Sequence, residues 1–159
     1  MNGALETLVA QAYGADQFKV CGAYLNLAYA VTSITFVIGG TILWLIIPLT
    51  AQFGQEKEVI ENALEFVKYY LPGCYFFALY DLNRRFLICF KITIVPMIMI
   101  VGISLLHILN CYLFVDLWGS TLSGLGMASS ATCLILALAS RLCVSMHQET
   151  RVALVWPDL

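Results

Sequence analysis

Charged residues are so sparse in this chain that three stretches could each cross a membrane uninterrupted. Residues 20–55, 92–115 and 117–140 contain no Asp, Glu, Lys or Arg. A helix needs about 20 predominantly apolar residues to cross a bilayer core. Over the whole chain 61% of residues are apolar and 11% are charged, against roughly 45–50% and about 25% in soluble domains. The sequence therefore predicts a membrane protein.

The pattern of charges and breaks predicts an all-α, polytopic membrane helix bundle. We expect about four transmembrane helices, with the end of a fifth at the N-terminus. The segment over about residues 58–88 carries charges in its first turns and a Pro72-Gly73 pair in its middle, so we expect a spanning helix with a kink. The predicted helices cover about residues 2–18, 22–50, 58–88, 92–116 and 122–146.

Basic residues in the short loops predict the orientation of the chain. One side collects six of them and the other side only Lys57. Loops rich in Lys and Arg stay in the cytoplasm, so both chain ends are expected inside the cell. The six are Lys19, Arg84, Arg85, Lys91, Arg141 and Arg151.

Several classes of function find no support in the residues. The net charge of −2 gives no electrostatic footprint for nucleic acid. The six cysteines lack the spacing of metal ligands, and most lie in apolar runs, where they favour a packing role. The sequence contains no nucleophile–base constellation and no phosphate-binding loop, so we predict neither an enzyme nor a cofactor.

Three segments carry a resemblance to a known family. GALETLVAQAYGA, residues 3–15, resembles the signature GALETLCGQAYGA, with departures only at Val9 and Ala10. Residues 85–87, followed by Pro96, resemble an RFLQxQ…P pattern in which Ile88 and Phe90 replace the glutamines. Residues 124–131 are similar to the start of a sixth helix. The chain thus resembles an internal part of the N-terminal lobe of a eukaryotic multidrug and toxic compound extrusion (MATE) transporter.

The resemblance implies the fold, the activity and the partners. MATE transporters have twelve helices in two lobes and export organic, often cationic, compounds in exchange for protons or sodium. Residues 1–159 would form a single partial N-lobe in the plasma membrane or an endomembrane such as the vacuole. Its partners would be the lipid bilayer, the organic substrate, the coupling ion and the missing helices of the same transporter. Alone, we expect the chain to be inactive.

Five polar or aromatic residues are candidates for the substrate path. Glu6 and Gln11 would face the vestibule, or they would bond to backbone at a helix end. Asn110 would face a cavity or bond to a neighbouring helix. His107 could handle a proton or act as a neutral packing residue. Tyr75 belongs to an aromatic cluster that could bind a cation or pack at an interface.

Three further residues are predicted to serve the structure of the motifs. Gly14 would supply a positive φ at the end of the first helix, and Arg85 and Pro96 would fix the second motif. Asp81 would pair with Arg84 or Arg85.

A second hypothesis belongs to a different class. The chain would then be a freestanding four-helix membrane scaffold or assembly protein without transport activity.

Overall fold

The computed structural model describes residues 2–117 and 122–153, and these residues form helices joined by short turns with no β-strand among them. The predicted all-α class is confirmed. The helices are α1 (Asn2–Gly14), α2 (Phe18–Leu49), α3 (Lys57–Cys89), α4 (Ile94–Cys111), α5 (Leu122–Met146) and α6 (Gln148–Ala153). A 3₁₀ turn, Thr50–Phe53, follows α2, and a π-helical turn, Tyr112–Leu117, follows α4.

Three segments are long and apolar enough to cross a bilayer: Phe18–Phe53, Ile94–Asp116 and Leu122–Met146. Large apolar side chains point outward along them, and Ile98 and Leu105 on α4 are 66% and 67% exposed. Such surfaces need lipid or protein as their solvent. The chain is therefore an integral membrane protein. α3 has 33 residues, enough to span, but it carries more charge, and its crossing stays a prediction.

α3 and α5 form the centre of the bundle and pack closely because small residues face each other. A Cβ added at Gly73 would lie 2.8 Å from the Cα of Ser130, and one added at Gly126 would lie 3.0 Å from the Cβ of Tyr69. Gly126 and Ser130 are one turn apart on α5, a small-xxx-small pattern that brings backbones together in membranes. The small residues therefore allow α3 and α5 to pack closely.

The hydroxyl of Ser130 inserts into the backbone hydrogen-bond ladder of α3. It donates to the carbonyl of Tyr69 and accepts from the N–H of Gly73 at 3.0 Å. These two backbone groups are i and i+4 partners in a regular helix. α3 runs continuously through Pro72, and a serine from the neighbouring helix satisfies the ladder beside the proline.

The turns after α1 and α3 are built alike. Gln17 N–H bonds Ala12 O at 2.9 Å and Asp16 N–H bonds Tyr13 O at 3.1 Å, which is the Schellman pattern of a helix end. The same pattern follows α3, with Lys91 in the position of Asp16. Asp16 and Lys91 have φ of 55° and 62°. The expectation that Gly14 supplies the positive φ is wrong, because the left-handed residue lies two positions later.

The two turns meet in a core at one end of the bundle. The Tyr13 and Phe90 rings pack edge to face, with centroids 4.9 Å apart, and Phe86 lies 4.8 Å from Phe90. This core also contains the buried side chains of Leu5, Val9 and Cys21. The helix predicted over 2–18 ends at Gly14, because the Schellman turn stops it there, and α2 starts four residues before its predicted start at residue 22.

Candidate functional site

One cavity lies between α3, α4 and α5, and we call it the central cleft. It has a volume of about 450 Å³, within the 300–1,000 Å³ range of ligand pockets. Its walls are mostly apolar or aromatic, and its polar groups are hydroxyls, thiols and one imidazole. The lining residues are Tyr70, Gly73, Cys74, Phe77, Ile100, Ile103, Ser104, His107, Ser129, Thr132, Cys133 and Leu136.

Thr132 organises the polar side of the central cleft. Its hydroxyl donates to the carbonyl of Ala128, one turn earlier on α5, at 2.7 Å. Asn110 Nδ2 donates to Oγ1 of Thr132 at 2.9 Å, and His107 Nδ1 lies 3.1 Å from the same Oγ1. The hydroxyl proton is already used, so the imidazole must donate through Nδ1–H.

This network determines the tautomer of His107. With the proton on Nδ1, Nε2 carries the lone pair, and the Cys111 thiol lies 3.5 Å from it as a weak donor. A proton entering the site would bind at Nε2 and displace the thiol hydrogen. No carboxylate is present in the described lining of the cleft, and Nε2 of His107 offers a lone pair that can accept a proton.

Asn110 and His107, three residues apart on α4, meet at Thr132, but only His107 lines the central cleft. Asn110 instead forms the α4–α5 hydrogen bond. Tyr75 lies elsewhere. Its hydroxyl is 2.9 Å from the Ser33 hydroxyl, and it lines a second cavity of about 380 Å³ between α2, α3 and α5. We call this second cavity the arginine cleft, because Arg141 lies at its edge.

The two sequence motifs meet at the end of the bundle, away from both clefts. Arg85 Nη1 bonds Glu6 Oε2 at 3.0 Å, and Arg85 Nε bonds Asp81 Oδ2 at 2.8 Å. Arg84 Nη2 bonds the other Asp81 oxygen at 2.7 Å. Asp81 thus pairs with both arginines. Gln11 is exposed on α1 and contributes to neither cleft.

The remaining motif residues lie at helix ends. Gly14 is the last residue of α1 and has open space around it. Pro96 is buried in the first turn of α4, where a missing N–H costs no helical hydrogen bond. The hydroxyl of Tyr80 lies 3.5 Å from the Pro96 carbonyl. Of the five substrate-path candidates, His107 lines the central cleft and Tyr75 lines the arginine cleft. The other three, Glu6, Gln11 and Asn110, line neither cleft.

Sequence reasoning missed the residues that organise the clefts. Thr132 joins the two α4 candidates, and Asn83, only 2% exposed, bridges α2 and α5. A signal for Asn83 was present, since an amide inside a membrane helix must find a partner. Thr132 lies in a run of small residues and gave no such signal.

Comparison with known proteins identifies the same family that the sequence motifs resemble. The MatE family matches residues 1–113. Protein DETOXIFICATION 1 of Arabidopsis thaliana is 35% identical over 132 residues, which are 82% of this chain and 27% of that protein. Protein DETOXIFICATION 3 and Protein DETOXIFICATION 16 of the same plant are each 30% identical, over 82% and 80% of the chain. The chain spans about a quarter of the length of these relatives.

Proposed function

The chain belongs to the MatE family, and we propose that it forms part of the substrate path of a secondary antiporter. The transporter would export organic, often cationic, compounds in exchange for an ion. The observation that supports this proposal is the central cleft, a largely apolar cavity of about 450 Å³ with one imidazole in its wall. We propose that the chain acts together with further helices of the same transporter, with both chain ends in the cytoplasm.

The lining of the central cleft suits an organic cation with a bulky apolar body. The rings of Tyr70 and Phe77, 40% and 49% exposed, offer π faces that attract a positive charge. Ile100 and Leu136 would contact the apolar body, and the hydroxyl of Ser104 could bond a polar substituent. This lining would accept compounds of varied shape, because it has few directional polar groups.

We assign the proton as the coupling ion, in preference to sodium. The described lining offers hydroxyls but no carboxylate for sodium, whereas Nε2 of His107 can bind a proton. A protonated imidazole would repel a cationic substrate across the cleft, so the two would bind in competition.

The experiment measures protection of the cleft thiols by a named organic cation. The purified 159-residue chain in detergent is treated with N-ethylmaleimide, with and without ethidium, and each cysteine is quantified by peptide mass spectrometry. Cys133, in the cleft wall, should be labelled at least about threefold more slowly with ethidium bound. Cys143, on the same helix, is similarly part-buried and lies outside both clefts, so its rate should not change.

A pH series tests the coupling ion. Ethidium affinity should fall as the pH is lowered, because a proton bound at Nε2 of His107 would repel the cation. The His107→Gln variant should bind ethidium with an affinity that no longer depends on pH. Equal protection of Cys133 and Cys143 would refute the cleft as a substrate site. If the chain also formed a discrete oligomer, that result would favour the scaffold hypothesis.

A further inference from the structure

The arginine cleft contains a cation that pairs with no acidic side chain in the described part of the chain. Arg84 and Arg85 both pair with Asp81. Arg141, at a similar level of the bundle, forms no ion pair with any side chain that the structure describes. Its guanidinium instead lies over the ring of Tyr29, with Cζ 5.6 Å from the ring centroid. A charge near a low-dielectric environment is costly unless an opposite charge satisfies it.

A buried hydrogen-bond chain holds the ring on which the guanidinium lies. The Tyr29 hydroxyl donates to Oδ1 of Asn83, and Nδ2 of Asn83 donates to the hydroxyl of Ser140 at 3.0 Å. Ser140, which is fully buried, donates a hydrogen bond to the carbonyl of Ala137. Because these hydrogen bonds link α2, α3 and α5, three helices hold the Tyr29 ring in position.

Beyond its contact with Tyr29, Arg141 supplies the donors of the cleft that remain available for a ligand. The Ser33 hydroxyl donates to the carbonyl of Tyr29 at 2.8 Å, so the Tyr75 hydroxyl must donate to Ser33 across their 2.9 Å contact. The Asn83 amide is likewise engaged. The guanidinium presents N–H donors in a planar fork that matches the oxygens of a phosphate.

An apolar track leads away from the guanidinium along α5. Leu138 and Leu134 lie three and seven residues before Arg141, on the same face of the helix, and both line the cleft. They are 57% and 37% exposed. Arg141 lies five residues before the end of α5 at Met146, which places it about 7.5 Å from that end. If the bilayer surface lies at this end of α5, Arg141 is at the depth of a headgroup and the track leads toward the bilayer centre.

We propose that the arginine cleft binds the phosphate of an anionic phospholipid, with an acyl chain along Leu134 and Leu138. The phosphate would pair with Arg141, and basic sites between helices on the cytoplasmic side are suited to such headgroups. This site is separate from the central cleft and does not depend on the proposed transport.

Native mass spectrometry of the full chain in detergent tests the lipid site. Phosphatidylglycerol should bind at least about tenfold more tightly than phosphatidylcholine, and Arg141→Gln should lose this preference, since charge-assisted hydrogen bonds carry it. Arg151→Gln is the matched control, because Arg151 is exposed on α6 outside both clefts. An equal loss in both variants, or no loss in Arg141→Gln, would overturn the proposal.

Two further arms separate the lipid from a soluble anion and from misfolding. Leu138→Asn keeps every charge and alters an exposed side chain, and it should weaken phosphatidylglycerol at least about threefold. Glycerol phosphate, which has the headgroup chemistry without acyl chains, should compete poorly. If glycerol phosphate competed as well as the lipid, or Leu138→Asn bound normally, the site would be one for soluble phosphates and the lipid proposal would be wrong.

Discussion

The contact between α3 and α5 leads to the sharpest prediction of stability. A methyl group at Gly73 would lie 2.8 Å from both Cα and Oγ of Ser130 and 3.1 Å from its backbone nitrogen. Backbone atoms cannot move aside as a flexible side chain can. Gly73→Ala should therefore force α3 and α5 apart and break the hydrogen bond from the Gly73 N–H to Ser130.

Three contributions determine how far Gly73→Ala changes the free energy of unfolding. Overpacking in a close-packed contact costs about 1–3 kcal/mol, and the lost hydrogen bond costs about 0.6 kcal/mol in a membrane protein. Replacing a helical glycine by alanine returns about 0.5–1 kcal/mol. We expect Gly73→Ala to lower the free energy of unfolding by about 1–3 kcal/mol. Gly102→Ala, where nothing lies within 4 Å, should raise it by about 0.5–1 kcal/mol.

The assay is unfolding by dodecyl sulfate in mixed micelles, followed by the reaction of Cys21 with a thiol-reactive fluorophore. Cys21 is fully buried, so its labelling reports loss of tertiary packing rather than loss of helix. If Gly73→Ala were as stable as Gly102→Ala, the close contact would be refuted. A double variant, Gly73→Ala with Ser130→Gly, should stay destabilised, because the overlap involves backbone. Full rescue would show that only the serine side chain matters.

Three other predictions concern the motif end of the bundle. Asp81→Asn removes the shared acceptor of two arginines and should cost about 1–2 kcal/mol in the same assay, and no cost would contradict the ion network. Gly22→Ala places a methyl group against the last carbonyl of α6, so α6 should detach and trypsin should cleave after Arg151 faster. Gly39→Ala, with open space around it, should leave that cleavage rate unchanged. Asp16→Gly relieves a left-handed residue with φ of 55° and should raise the free energy of unfolding by about 1 kcal/mol, whereas a loss would show that the aspartate side chain stabilises the turn.

Much of the fold could be predicted because its signals are local. An uncharged stretch such as residues 92–115 is long enough to span on its own, whatever its neighbours do. The helix ends were harder to predict. Asp16 and Lys91 adopt the left-handed conformation that glycine prefers, so no glycine marks these turns.

The candidate site was only partly predictable. His107 and Asn110 are polar groups in an apolar helix, and that alone marks them as needing partners. The arginine pairing of Asp81 followed from spacings of three and four residues along one helix. By contrast, Tyr75 proved to belong to a different cleft from His107. No pattern within either helix could reveal that separation.

Hydropathy and motifs are properties of single segments, so they suffice to identify a membrane helix bundle of the MatE family. Which helix faces meet depends on the packing of the whole bundle. A helix that is apolar all around carries no amphipathic stripe to show its buried side, so partner choice rests on shape and on a few polar atoms. Ser130 entering the ladder of α3, and Thr132 joining His107 to Asn110, are such choices, and each joins atoms more than 20 residues apart along the chain.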